Sequence, residues 1–178
     1  MPFRCYFAVF CILLITGGSL EARHIIGGDL SYVCNGDGTY TFLMKIYRDC
    51  SSGGAQYDDP AVVSVYEGTE ASNTLLISNV PGTGIRSTAN IPPDANPCLI
   101  VPPNVCVEEA TYQFKVSLPA ISESYFVVYQ RCCRNNTITN IRNPRSSGAT
   151  YSIELTPRAQ ELCNNSPAFN NFPPIVIC

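Results

Sequence analysis

Eight cysteines lie beyond the N-terminal leader of this chain, and two of them, Cys132 and Cys133, are adjacent within Tyr-Gln-Arg-Cys-Cys-Arg-Asn-Asn. An even number of cysteines in a chain of this kind predicts a disulfide framework. Such bridges persist in oxidising compartments and are rare in the cytosol. The competing reading is a metal site, and the spacing opposes it. There is no Cys-x-x-Cys, and the one histidine, His24, sits at the start of the mature chain. No metal and no cofactor are expected.

The leader agrees with that compartment. Arg4 supplies a positive start, Cys5 to Ile15 is apolar, and Thr16-Gly17-Gly18-Ser19 follows. The run is shorter than the roughly 20 residues a membrane helix needs. Residues 1–22 therefore read as a secretory signal peptide, with no membrane span in the mature chain. Cleavage after Ala22 would leave 156 of the 178 residues, the size of one domain, with the net charge still −3. That charge argues against nucleic acid as a partner.

Val, Ile, Tyr, Thr and Phe alternate through the mature chain between Gly, Pro and Asn clusters, which predicts an all-β domain. Leu30 to Cys34 and Thr39 to Arg48 flank Asn35-Gly36-Asp37-Gly38 and read as a hairpin. Further strands are expected at Ala61 to Tyr66, Thr74 to Ser78, Ala110 to Leu118, Ser124 to Arg131 and Ala149 to Leu155. The fourth of these is apolar on both faces and is expected at the centre of a sheet. Asn79 to Pro97 reads as a long loop, and Arg158 to Leu162 as a single helical turn. The predicted architecture is a disulfide-stapled antiparallel β-sandwich over 23–162, immunoglobulin-like in the loose sense. Residues 163–178 form a Pro-rich tail, and Pro-Pro-Ile-Val-Ile-Cys looks like a strand entering another domain.

Alternation constrains the bridges. Neighbours on a strand face opposite ways, so Cys132 and Cys133 are expected to reach two different elements. Cys34 and Cys50 lie too far apart along one hairpin to meet, which makes Cys132 and Cys133 their candidate partners. Cys98 and Cys106 are the best local pair, and Cys163 and Cys178 remain. A redox role for the adjacent pair, with Arg131 and Arg134 favouring thiolate, is weighed against structural bridging and set second.

No catalytic residues are expected. Ile25-Ile26-Gly27-Gly28 resembles an activated protease N-terminus, but one terminal histidine leaves no triad. Asp58-Asp59 and Glu108-Glu109 lack any loop pattern for Ca²⁺ and read as turn acids. Arg131, Arg134, Arg142 and Arg145 form the one charge cluster. It could contact an anion, or balance Asp49, Asp58 and Asp59.

Several segments, in order, resemble the N-terminal domain of large Bacteroidota surface proteins of the PKD-domain and gliding-motility-associated kind. They include His24-Ile-Ile-Gly-Gly, Tyr47-Arg-Asp-Cys50, Pro97 to Glu109, Tyr129 to Ile138 and Cys163 to Pro174. The resemblance implies a non-enzymatic structural or adhesive module at the cell surface, exported by type IX secretion. Its expected partners are other domains of the same protein, glycans or surface proteins. The alternative is a carbohydrate-binding module of a secreted hydrolase, to which Tyr32, Tyr40, Tyr47, Tyr57, Tyr66 and Tyr129 could supply stacking surface, though most of the six are expected in the core.

Overall fold

The hairpin that opens the domain is set by its turn. Gly36 and Gly38 take φ of 83° and 74°, values that L side chains avoid. The Asp37 carboxylate caps the turn by accepting the Thr39 amide at 3.0 Å. On either side run β1 (Ile25–Cys34) and β2 (Thr39–Asp49). The computed structural model describes residues 25–51, 55–92, 105–135 and 138–168. Within them the chain continues as β3 (Val63–Gly68), β4 (Asn73–Ile77), β5 (Ile85–Ile91), β6 (Val107–Ser117), β7 (Ser124–Cys132), β8 (Gly148–Leu155) and a short helix α1 (Pro157–Glu161).

The strands form two four-stranded sheets, ordered β1-β2-β6-β5 and β4-β3-β7-β8, with every pairing antiparallel. The all-β sandwich expected from the alternation is what forms. Tyr40, Phe42, Met44 and Ile46 project from β2 into the core, with Ala110, Tyr112, Phe114 and Val116 beside them on β6. Phe42 and Phe114 are opposite in register and stack at 5.4 Å. Val63, Val65, Tyr125, Val127, Tyr129 and Leu155 complete the core from the second sheet. Burying one such side chain fully contributes about 1.5–3 kcal/mol. At the β1–β8 edge the sheets approach closely. A Cβ on Gly28 would lie 2.8 Å from the Lys45 carbonyl and 3.0 Å from the Tyr151 ring.

Two differences from the sequence reading concern strand and helix limits. β5 lies inside Asn79 to Pro97, the stretch expected to be a loop. Its interior residues, Arg86 to Asn90, are exposed, so no apolar alternation marks it, and it is an edge strand whose one strand neighbour is β6. The helical turn begins at Pro157 instead of Arg158, capped by Thr156 Oγ1 accepting from Ala159 N at 3.2 Å. Its other end closes with Cys163 in the left-handed region at φ 48°. Asn164 N then bonds Ala159 O, and Cys163 N bonds Gln160 O.

The bridges correct three expectations. Cys34 pairs with Cys163, Cys50 with Cys106, and Cys132 with Cys133. Cys50 extends β2 by one residue and Cys106 precedes β6, so the Asp49–Val107 register places them opposite each other, Cα atoms 5.0 Å apart. That register claims Cys106, which is therefore not the partner of Cys98. The turn after α1 carries Cys163 back to the end of β1, where Ser166 N bonds Tyr32 O and Cys34 N bonds Asn165 Oδ1. Cys163 is thus held by the sandwich, and Cys34 reaches neither member of the adjacent pair. Alternation fails for Cys132-Cys133 because β7 ends at Cys132, and Cys133 has a φ of 153°, outside strand geometry. Cys98, Cys178 and the leader 1–22 lie outside the described residues.

Candidate functional site

β7 sits between β3 and β8, and its two faces meet different surroundings. Tyr125, Val127 and Tyr129 enter the core. Phe126, Val128 and Gln130 point outward. Register places Tyr66 of β3 opposite Phe126, and Phe126 opposite Glu154 of β8. One step along, Val128 faces Ser152, and beyond it Gln130 faces Thr150. Directly opposed side chains have Cβ atoms about 4.5–5.5 Å apart, so Tyr66 and Phe126 leave the same face of the sheet side by side. Glu70 and Asn73 close the far side. Together these residues line an open groove of about 570 Å³, within the range of small-molecule sites.

The groove's polar groups are partly preset. Glu154 Oε1 accepts from Ser124 Oγ at 2.6 Å. Gln130 Nε2 donates to Thr150 Oγ1 at 3.3 Å. The lining carries two carboxylates, Glu70 and Glu154, and neither Lys nor Arg.

The tyrosines weighed as stacking surface divide sharply. Tyr32, Tyr40, Tyr47, Tyr57 and Tyr129 are buried, and Tyr66 alone of the six lines the groove. The buried phenols peg the sandwich together. Tyr129 donates to Asp58 Oδ2 at 2.7 Å, Tyr112 to Asp58 O at 3.0 Å, and Tyr57 to Glu108 O at 2.6 Å. Burial raises the pKa of Tyr129, Tyr112 and Tyr57, and the neighbouring Asp58 and Glu108 carboxylates push in the same direction.

The four arginines do not act as one cluster. Arg131 points inward, with its side chain 10% exposed. It donates through Nη2 to Gln56 O and lies 3.6 Å from Asp58 Oδ1, while its Nη1 is buried without a hydrogen-bond partner. Arg134 Nε donates to Gly148 O at 3.0 Å. Arg142 and Arg145 are exposed in the loop around a 3₁₀ turn at Pro144–Ser146. The paired acids are engaged in the fold. Glu108 meets Arg48 at 2.6 Å, Glu109 meets Lys45 at 3.4 Å, and Asp59 Oδ1 accepts from Ile85 N at 3.0 Å. Among the described residues, no group of three or more His, Cys, Asp or Glu side chains is placed to hold a metal ion. No helix among them is long and apolar enough to cross a membrane.

The signal that could have found the groove was present in the sequence. Apolar residues on both faces of Ser124 to Arg131 indicate a central strand, and β7 is one. Phe126 and Val128 are only half-buried, because the second sheet has a core on one side and the open groove on the other.

Comparison of the chain with protein-family models, with curated proteins and with solved structures finds no match.

Proposed function

We propose that this is a non-enzymatic adhesive and structural module of a secreted or cell-surface protein, with the outer face of the second sheet as its contact surface. The observation that carries the reading is the Tyr66–Phe126–Val128 strip on an outward face. In an antiparallel sandwich the outward face is ordinarily polar. β8 follows that rule with Thr150, Ser152 and Glu154, whereas β7 does not. The bridges at opposite ends of the β1–β2 hairpin, Cys34–Cys163 and Cys50–Cys106, suit an oxidising exterior. The leader and the resemblance to gliding-motility-associated surface proteins support the same placement. The mixed aromatic and polar lining also favours the second reading, a carbohydrate-binding module of a secreted hydrolase.

The test is retention under flow of beads carrying the protein, on surfaces coated with mucin, polysaccharide or protein. Retention on at least one coating is expected, and Tyr66→Ala with Phe126→Ser should abolish it while leaving the melting temperature within a few degrees. Retention on none, or retention indifferent to both changes, overturns the reading.

A further inference from the structure

Resting on that contact surface, we infer that the groove over β3, β7 and β8 is a binding site for an uncharged oligosaccharide. Three features of the groove select this ligand class. The first is the aromatic pair. Tyr66 and Phe126 are cross-strand neighbours on one face, so two aromatic side chains stand on the floor of the groove. Sugar rings have apolar C–H faces that pack on such side chains, and Tyr and Phe provide this area with little rotamer entropy to lose. The second is the ring of short polar groups around it. Gln130 and Asn73 each carry an amide with both donor and acceptor, and Glu154 carries a carboxylate held in place by Ser124. Sugar hydroxyls both donate and accept, so this mixture satisfies them. A purely apolar partner would leave these groups desolvated and unpaired.

The third feature is charge. With Glu70 and Glu154 in the lining and no cation, the groove repels sulfated, sialylated and uronate-bearing chains. The extent of the site sets ligand length. Phe126 to Gln130 spans four residue steps, about 14 Å along β7, and β3 to β8 spans about 10 Å across. That is a floor for a short oligosaccharide instead of a single sugar. The structure thus assigns Tyr66 and Phe126 to stacking, and Asn73, Gln130 and Glu154 to hydroxyl recognition.

The experiment uses the full chain with its bridges intact. Binding is measured by calorimetry against neutral glucan, mannan, xylan and galactan oligosaccharides, with sulfated and uronate-bearing counterparts and a Lys-rich peptide alongside. Binding to at least one neutral oligosaccharide is expected, with weaker or no binding to its anionic counterpart. Tyr66→Ala should weaken binding about tenfold or more, Tyr66→Phe should retain most of it, and Gln130→Ala should weaken it with the fold unchanged. No neutral oligosaccharide bound, tighter binding to an anionic chain or to the Lys-rich peptide, or equal binding by Tyr66→Ala each overturns the assignment. Glycan binding can fail while bead retention is still lost in the Tyr66→Ala, Phe126→Ser variant. The contact surface then stands and the ligand class falls. If retention is also indifferent to those changes, both fall.

Discussion

Replacing Cys34 and Cys163 together by serine removes the longest-range bridge described here without leaving a free thiol. The two are separated by 129 residues, and the Cys50–Cys106 bridge already shortcuts 56 of these. In the unfolded chain the bridge therefore closes an effective loop of 73 residues, 129 minus 56. The chain-entropy relation then assigns it about 4–5 kcal/mol at 25 °C. For a domain of this size that corresponds to a fall in melting temperature of roughly 10–20 °C. Urea unfolding followed by circular dichroism measures it, with mass spectrometry confirming that Cys50–Cys106 persists. Because the effect acts on the unfolded state, the m-value should rise as the denatured chain expands. The fine structure of the native tyrosine bands should stay the same, with the loss confined to the broad disulfide contribution. A loss under about 1 kcal/mol with an unchanged m-value would refute the reasoning. It would mean that the bridge only pins residues 163–166 locally, beside the Ser166–Tyr32 and Asn165–Cys34 hydrogen bonds. Hydrogen exchange would then show fast amides at Tyr32 and Cys34 alone.

Gly28→Ala should destabilise the domain by about 1–3 kcal/mol in thermal melts. The new methyl meets the Lys45 carbonyl, a backbone atom that cannot rotate away, and a loss near zero would show that the β1–β8 edge is looser than described. Alkaline pH should also unfold the protein. Burial raises the phenol pKa values of Tyr47, Tyr57, Tyr112 and Tyr129 above the ordinary 10.0. The unfolded chain releases these protons first, so their contribution is complete below about pH 10 and declines as pH rises beyond it. Absorbance titration should show a group of phenols that ionise only on unfolding, and Tyr129→Phe should shrink that group. Ionisation of every tyrosine near pH 10 with flat stability would contradict this.

Much of the fold was legible because burial on one face imposes alternation. Tyr40, Phe42, Met44 and Ile46 announced β2, and Asn35 to Gly38 announced its turn. β5 was illegible for the converse reason: an edge strand exposed on both faces carries no periodic signal. The candidate groove was half legible. Ser124 to Arg131 reads as a central strand and forms one, but the sequence does not say that Phe126 and Val128 face outward into an open groove. Five of the six tyrosines weighed as stacking surface are buried, as expected of most of them, and the Tyr47, Tyr57 and Tyr129 hydroxyls are met there by Asp29, the Glu108 carbonyl and Asp58.

The sequence by itself determined the class of the domain: short alternating strands, turn residues between them, and enough cysteines to staple the result. It could not pair those cysteines. Pairing depends on which strands are neighbours and in what register. Those are set by long-range contacts: β2 against β6 brings Cys50 to Cys106, and α1 turns Cys163 back to Cys34. Tertiary structure likewise decided that Arg131 faces inward toward Asp58 while Tyr66 and Phe126 line the open groove. Alternation tells which residues share a face, but only the packing of the two sheets tells which face is the inside.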